Sequence, residues 1–317
     1  MKKTIMILAV AAWCGAAQAT ILRVNNTTGS GAPYSDLTSA IEAAQGGDTI
    51  MVDGSSTSYG DITISKPLVL LGPGYWRVEN GVIAEGAPSA TIRQLTVVKD
   101  AVGTIVRGMN INGVVTLRAP KTVINRCLLE GGLEIWNTAD NCVIHQNFYY
   151  SWFEMGGYNN WYANYTQITN NIFITTGNSY INDAKCIVRI NEGYIAYNTI
   201  AFNNHGVEAI ADCKSCTIEK NIGRNLGSIE GCSYIDNYTC EDKWLYTDRK
   251  TDLTIKNQKF EDSDVREAVA DKGAFAGDDP YVISGIPSGA VIEDVTVPAS
   301  VEQGQTLNVT VKLGVQK

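Results

Sequence analysis

Histidine and paired cysteines are scarce in this sequence of 317 residues. It has two histidines, and Cys213-x-x-Cys216 is its one Cys-x-x-Cys pair. A tetrahedral zinc site is usually built from two such pairs, or from cysteines and histidines together. Motifs for a nucleophile elbow, a phosphate-binding loop and a dinucleotide-binding turn are also missing. We therefore expect no resident metal or nucleotide cofactor; calcium, which needs only oxygen ligands, is the one ion left open.

Basic residues and long apolar runs are also in short supply. The 25 lysines and arginines are outnumbered by 33 aspartates and glutamates, which gives a formal net charge of -8. An acidic surface argues against nucleic acids and anionic membranes as partners. No segment beyond the N-terminus reaches the roughly 20 apolar residues that a membrane-spanning helix needs. We expect a monomer that neither binds nucleic acid nor inserts into a membrane.

The N-terminus resembles a secretory signal peptide. Lys2 and Lys3 precede an apolar run over residues 5–13, and residues 17–19 (Ala-Gln-Ala) form a small-x-small cleavage site. We predict removal of residues 1–19 and export to the periplasm, the cell surface or the medium. The cysteines that remain are irregularly spaced, which favours buried thiols, or one or two disulfides among the last four, over a small disulfide framework.

Short strand-like segments recur along the middle of the chain, each built around an isoleucine. The isoleucines are Ile124, Ile144, Ile168, Ile195, Ile218 and Ile235. The intervals between them differ from one coil to the next but scatter around a common value. A variable period of about 22 residues is typical of a three-sided solenoid whose coils carry loops of different lengths. The pattern predicts an all-β, single-stranded parallel β-helix. A β-sandwich is the main alternative, but its turns would not repeat one residue type at one register.

Asparagine marks the same position in four consecutive coils. Asparagine tolerates left-handed backbone geometry at a bend, and its side-chain amide can bond the equivalent amide of the next coil. We therefore predict an asparagine ladder. Its members are Asn147, Asn171, Asn198 and Asn221, each three positions after an isoleucine of the repeat.

The two ends of the predicted solenoid have their own patterns. Residues 35–45 combine capping residues with helical apolar spacing, which predicts a short amphipathic helix over the exposed N-terminal end of the stack. Residues 285–317 alternate as two strands around a polar turn, which predicts a hairpin or a partial immunoglobulin-like segment. The β-helix domain itself is predicted to span residues 20–284.

The opening of this domain resembles that of a known superfamily. A helix, a Gly-Asp-Thr-Ile turn at residues 47–50, and strands ending in Leu-x-Gly near Gly72 are similar to the start of the pectin-lyase-like superfamily. Residues 271–281 resemble the closing motif of secreted Bacteroidetes β-helix proteins. The resemblance covers roughly residues 20–284 and implies a right-handed β-helix. It implies no single activity, because the superfamily includes lyases, hydrolases, epimerases and adhesins.

Aromatic residues are concentrated between residues 148 and 165, which hold a third of the chain's aromatic side chains. Exposed aromatic faces in a groove bind the apolar faces of sugar rings. The alternative is packing inside the coils, where we expect Phe148 to point. The Gly-Gly and Asn-Asn pairs of this segment predict a protruding loop. The candidate sugar-binding residues are Tyr150, Trp152, Tyr158, Trp161 and Tyr162.

Two glutamates near this cluster are candidate catalytic residues. With a coil of about 20 residues, Glu134 and Glu154 would occupy one column on adjacent coils, and their apolar neighbours would turn both carboxylates outward. Carboxylates on strands about 4.8 Å apart would suit retaining glycoside hydrolysis. A solvated acidic stripe or a calcium site would give the same pattern.

These observations favour an exported carbohydrate-binding or adhesive β-helix protein, whose partner is a polysaccharide or a surface glycan. The alternative is a polysaccharide-degrading enzyme that works in the groove, as a glycoside hydrolase rather than a lyase.

Overall fold

A computed structural model shows an all-β chain in which strands wind into a right-handed parallel β-helix. Three long parallel sheets, called here the first, second and third sheet, form the sides of the coils. The structure describes residues 19–75, 78–79, 82–83, 88–151, 154–175, 185–202, 208–223, 226, 229, 231–239, 267–285, 289–296 and 310–316. The predicted signal peptide therefore lies almost wholly outside the described residues.

In the described part of the chain, the three sheets contain ten, eight and seven strands. The first sheet consists, in order along the stack, of Ile21–Val24, Thr49–Val52, Val69–Leu71, Ile105–Arg107, Val123–Asn125, Val143–His145, Gln167–Thr169, Tyr194–Ala196, Thr217–Glu219 and Ser233–Ile235. The second consists of Thr91–Ile92, Asn110–Ile111, Leu128–Leu129, Phe148–Tyr150, Ile172–Thr175, Thr199–Phe202, Ile222–Gly223 and Tyr238–Thr239. The third consists of Asp61–Ile64, Gln94–Val97, Val115–Leu117, Leu133–Ile135, Met155–Gly157, Lys185–Val188 and Glu208–Ala211.

Shorter pairs complete the strands of the described chain. Val78–Glu79 pairs with Val82–Ile83, and Ala163–Asn164 pairs with Ile190–Asn191. The predicted tail hairpin consists of Gly289–Thr296 and Thr310–Gln316, which pair antiparallel with a bulge near Ile292. Within the described part of the chain, no helix is both long and apolar enough to cross a bilayer.

The interior of the first sheet is a column of aliphatic side chains. The register places the predicted isoleucines over one another from Ile124 to Ile218, all fully buried. The last rung differs from the prediction, because Tyr234 pairs with Ile218 while Ile235 is 43% exposed. The final coil is thus one residue shorter than the isoleucine spacing suggested, and strand alternation turns Ile235 outward.

The predicted asparagine ladder is present and has one further rung. From Asn171 onward, each ladder Oδ1 accepts the backbone N–H and a side-chain N–H of the preceding rung, at 2.8 to 3.0 Å. The ladder runs through Asn147, Asn171, Asn198, Asn221 and Asn237. The amides of the first four rungs are fully buried, so these bonds satisfy polar groups that have no access to water.

Left-handed backbone occurs at several turns of the coils, including Lys121 and Asn141. At the ladder, the left-handed residue is not the asparagine, as the sequence suggested, but the residue before it. These residues have φ between 49° and 55° and differ widely in chemistry. They are Arg126, Gln146, Asn170, Tyr197, Lys220 and Asp236, and we call them the bend column. The ladder position therefore needs asparagine for its amide and not for its backbone conformation.

A helix covers the N-terminal end, as predicted. It spans Leu37–Ala43, and the Asp36 carboxylate caps it by accepting the Ser39 N–H at 2.7 Å. Leu37, Ala40 and Ile41 are buried against the first coils. The helix thereby covers apolar surface that no preceding coil can cover.

Residues 267–285, called here the closing segment, cover the outer face of the second sheet. Ala274 and Tyr281 pack on an apolar column that includes Phe148 and Ile172. The sequence placed Phe148 inside the coil; it is buried, but on the outside, and Tyr149 fills the interior instead. Alternation along the strand forces this choice, because the ladder residue Asn147 already points inward.

The closing segment is bonded to the bend column one coil after another. The Gly273 N–H donates to the Lys220 carbonyl at 2.8 Å, and the Asn170 amide donates to the Ala276 carbonyl at 2.8 Å. The Gln146 amide donates to Asp279 Oδ1 at 2.7 Å. The segment therefore runs back along the stack, from its C-terminal towards its N-terminal coils.

We expect His145 to make the stability of the folded chain sensitive to pH. Its Nε2 lies 2.9 Å from Asp279 Oδ2, and burial lowers the pKa of the imidazole, although Asp279 partly opposes that effect. The folded chain then binds fewer protons than the unfolded chain, so stability falls as pH drops below the unfolded histidine pKa of about 6.5. We expect the melting temperature to decline between about pH 7 and 5, and His145→Gln to flatten that decline. The control His205→Gln should keep the decline of the wild type, and an unchanged decline in His145→Gln would contradict this assignment.

Candidate functional site

The outer face of the third sheet carries Glu134. It stands in register with Thr116 on one side and Gly156 on the other. The prediction that Glu134 and Glu154 share a column is therefore wrong.

The physical reason is that the number of residues between paired positions on the same two coils differs between the second and the third sheet. The second sheet pairs Leu128 with Phe148, which is the coil length that the sequence suggested. The third sheet pairs Leu133 with Met155, so its register lies two positions further on. The extra residues lie in the connection between the sheets and move Glu154 off the strand.

Glu154 instead forms an ion pair with an arginine. Arg189 Nη2 lies 2.5 Å from Glu154 Oε2, and Arg189 Nε donates to the Gly157 carbonyl at 2.7 Å. The Arg189 carbonyl also accepts the Ala163 N–H at 2.9 Å. One residue thus holds both ends of the segment 154–163, which carries the aromatic side chains. Glu134 and Glu154 therefore do not form the pair of neighbouring carboxylates that a retaining hydrolase was expected to use.

Two residues beyond the Glu134 column, side chains from three coils stack on one another. The Arg118 guanidinium lies 4.2 Å from the centre of the Trp136 ring. The Trp136 and Tyr158 rings are 5.3 Å apart and within 17° of parallel. Cation–π and offset ring contacts of this kind each contribute about 0.5–1.5 kcal/mol. The stack is a rigid wall across three coils.

A tight turn places a further aromatic residue beside this wall. Asn159 and Asn160 have φ of 47° and 64°, and the Trp161 N–H donates to the Tyr158 carbonyl at 2.9 Å. Positive φ at both central residues defines a type I′ turn, which asparagine tolerates better than most residues. Trp161 is 51% exposed. The Asn-Asn pair therefore forms the protruding loop that the sequence predicted.

The glycine pair is part of the third sheet, and not of that loop. A Cβ on Gly157 would lie 2.0 Å from the Trp161 carbonyl oxygen, because the turn folds back over it. A Cβ on Gly156 would lie 1.8 Å from the Val188 carbonyl oxygen. Neither distance is compatible with a side chain, so the close approach of these backbones requires glycine.

The wall and the turn enclose a cleft of about 110 Å³. It is lined by Trp136, Asn137, Tyr158, Asn159 and Trp161. Three aromatic rings provide apolar surface, and two amides provide both donors and acceptors. The volume is well below the roughly 300–1,000 Å³ of pockets that enclose drug-sized ligands, so the cleft suits one ring-sized group.

The other predicted aromatic residues are not in this cleft. Tyr150 packs with the closing segment on the second sheet. Tyr162 lies beneath Lys214, whose Nζ is 4.1 Å from the ring centre. Trp152 lies outside the described residues. Of the five candidates, Tyr158 and Trp161 come together, and the residues that sequence reasoning missed are Arg118, Trp136 and the two asparagines.

Glu134 is close to the stack and electrostatically unusual. Burial raises its pKa, while the Thr116 hydroxyl, at 3.4 Å from Oε2, and the charge of Arg118 oppose the rise. Side chains two apart on a strand point to the same face, so Glu134 and Trp136 share one surface. Glu134 is not one of the residues that line the cleft.

Cysteine positions give no metal centre in the described chain. Cys127, Cys142, Cys186, Cys213, Cys216 and Cys232 are free thiols, and all but Cys232 are buried. Among the residues that the structure describes, no three histidine, cysteine, aspartate or glutamate side chains form a group that could hold a metal ion.

Comparisons with protein-family models, curated proteins and solved structures gave no significant match. The resemblance to the pectin-lyase-like superfamily therefore rests on the quoted motifs. What the structure adds to it is the parallel β-helix fold, which occurs in proteins that bind or degrade carbohydrates.

Proposed function

We propose that this protein is an exported carbohydrate-binding β-helix that holds one sugar ring of a glycan in the cleft beside Trp161. The observation that carries the proposal is this half-exposed indole next to the Trp136–Tyr158 wall. Apolar sugar faces stack on such rings, and the ring hydroxyls need donors and acceptors at the edge. The amides of Asn137 and Asn159, which line the cleft, can supply them.

The size of the cleft supports binding of a terminal or branch sugar over binding of a long buried chain. An open cleft of about 110 Å³ leaves most of a polysaccharide in solvent. Affinity for one ring would be modest, and many copies of the glycan on a surface would strengthen attachment through multivalency. This favours an adhesive role.

Replacing Trp161 tests the proposal. We expect Trp161→Ala to weaken retention on a glycan array at least tenfold, equivalent to about 1.4 kcal/mol, because the exposed indole is lost while the fold is kept. Tyr165→Ala is the matched control, since Tyr165 is 47% exposed and does not line the cleft. Equal retention of wild type and Trp161→Ala would reject the cleft as the sugar site.

The raised pKa of Glu134 favours one second candidate, a glycoside hydrolase in which Glu134 donates a proton. This activity would release reducing sugar from some member of a panel of plant and host polysaccharides, and Glu134→Gln would abolish the release. If the wild type releases nothing from the panel, the binding function stands alone.

A further inference from the structure

Three cysteine side chains meet near the C-terminal end of the stack. Cys213 and Cys216 are 2% exposed, and Cys232 packs on them with part of its surface open to solvent. Cys213 and Cys216 belong to one coil, and Cys232 belongs to the next.

The strand register brings two of these cysteines directly over each other. Thr217 pairs with Ser233, so Cys216 and Cys232, which precede them, are neighbours on adjacent coils. Neighbouring strands lie about 4.8 Å apart, inside the window of about 4.4–6.8 Å between the Cα atoms of disulfides. The Cys216 N–H also donates to Cys232 Sγ at 3.4 Å.

The geometry points to a disulfide between Cys216 and Cys232 that joins the last two coils when the folded chain meets a disulfide oxidant. The partly exposed Cys232 thiolate attacks the S–S bond of a small disulfide such as glutathione disulfide, and one thiol leaves. The Cys216 thiolate then attacks Cys232 Sγ and expels the second thiol. Two protons and two electrons leave the cysteine pair, and the oxidant is reduced to two thiols.

Burial and charge assign the resolving role to Cys216. The Cys213 thiol and the Gly193 N–H, which donates to Cys216 Sγ at 3.4 Å, lower the pKa of Cys216. The thiolate is the attacking species, so this lowered pKa favours attack by Cys216 once Cys232 carries a mixed disulfide. Cys213 is as buried as Cys216, and its pKa is raised instead, chiefly by the Cys216 thiol.

The position of the bond explains what it would do. Among the described residues, Ser233–Ile235 is the last strand of the first sheet and pairs with Thr217–Glu219. Forming the bond requires this coil to move by about 1 Å, because the Cβ separation of about 3.8 Å in a disulfide is shorter than the strand spacing of about 4.8 Å. The bond would tie the last described coil of the first sheet covalently to the coil before it.

Peptide mapping tests the pairing directly. The mature protein is treated with glutathione disulfide at pH 8, alkylated, and digested with trypsin and chymotrypsin. Trypsin cuts after Lys214 and Lys220 and so separates Cys213 from Cys216, and chymotrypsin cuts after Tyr234 and Tyr238 and so separates Cys232 from Cys240. We expect the peptide Ser215–Lys220 linked to the peptide that holds Cys232, and a melting temperature several degrees above that of the reduced protein.

Two variants make the result decisive. Cys232→Ser should lose both the linked peptide and the rise in melting temperature, whereas Cys240→Ser, at a position outside the described residues, should keep both. Free, alkylated Cys216 after oxidation would overturn the inference. A bond from Cys216 to Cys213, or from Cys232 to Cys240, would overturn it as well.

Discussion

Replacing Asn171 by leucine should destabilise the protein by about 3 kcal/mol or more, because several buried polar groups lose their partners at once. Asn171 Oδ1 accepts both N–H groups of Asn147, and Asn171 Nδ2 donates to the Ile144 carbonyl and to Asn198 Oδ1. Leucine has nearly the same volume but offers neither a donor nor an acceptor. Urea unfolding followed by circular dichroism would measure the loss.

Asn112→Leu is the matched control for this experiment. Asn112 is exposed, so the same chemical change should alter stability by no more than about 0.5 kcal/mol. If Asn171→Leu unfolds at the urea concentration of the wild type, the ladder is a consequence of the coil geometry and contributes nothing to its stability.

Gly156→Ala should have an effect of similar size by a steric route. Gly156 has φ of 141°, and an added Cβ would overlap the Val188 carbonyl oxygen of the next coil. Strain at a disfavoured backbone conformation and overpacking cost about 1–3 kcal/mol each, so we expect a loss of about 3 kcal/mol or more. Displacement of Met155–Gly157 would also move Tyr158, so glycan retention should fall together with the melting temperature.

Gly103→Ala separates the two contributions. Gly103 also has a positive φ, of 77°, but its Cβ would meet no atom within 4 Å. Only the backbone strain of about 1 kcal/mol should remain. Equal losses in the two variants would show that the backbone of the third sheet moves aside at little cost.

The sequence predicted the stacking of the coils well because its signal is repeated. Isoleucine and asparagine recur at fixed offsets from Ile124 to Asn221, and each coil repeats the same constraint on side chains that face inward. The bend column gave no such signal, since its residues range from Arg126 to Asp236 and share only a backbone conformation.

The site was harder to predict because it depends on where extra residues are inserted. The isoleucine spacings of the first sheet give the length of each coil, but they do not say which of the connections between sheets contains the extra residues. The triplet Phe153-Glu154-Met155 has the same alternation as Leu133-Glu134-Ile135, which made a false register look sound. Trp136 and Tyr158 keep the same separation in sequence as the paired residues Leu133 and Met155. The fact that these two aromatic residues are as far apart in sequence as a residue pair of the third sheet was the signal that could have predicted their stacking.

The closing segment has a consequence for the order in which the molecule is completed. A protein chain is synthesised from its N-terminus, so the coils that carry Leu128, Phe148 and Ile172 are made before residues 267–285. Until those residues are synthesised, the apolar side chains on the outer face of the second sheet are exposed to water and can contact other chains. Truncations before residue 267 should therefore aggregate, even though every rung of the stack is intact.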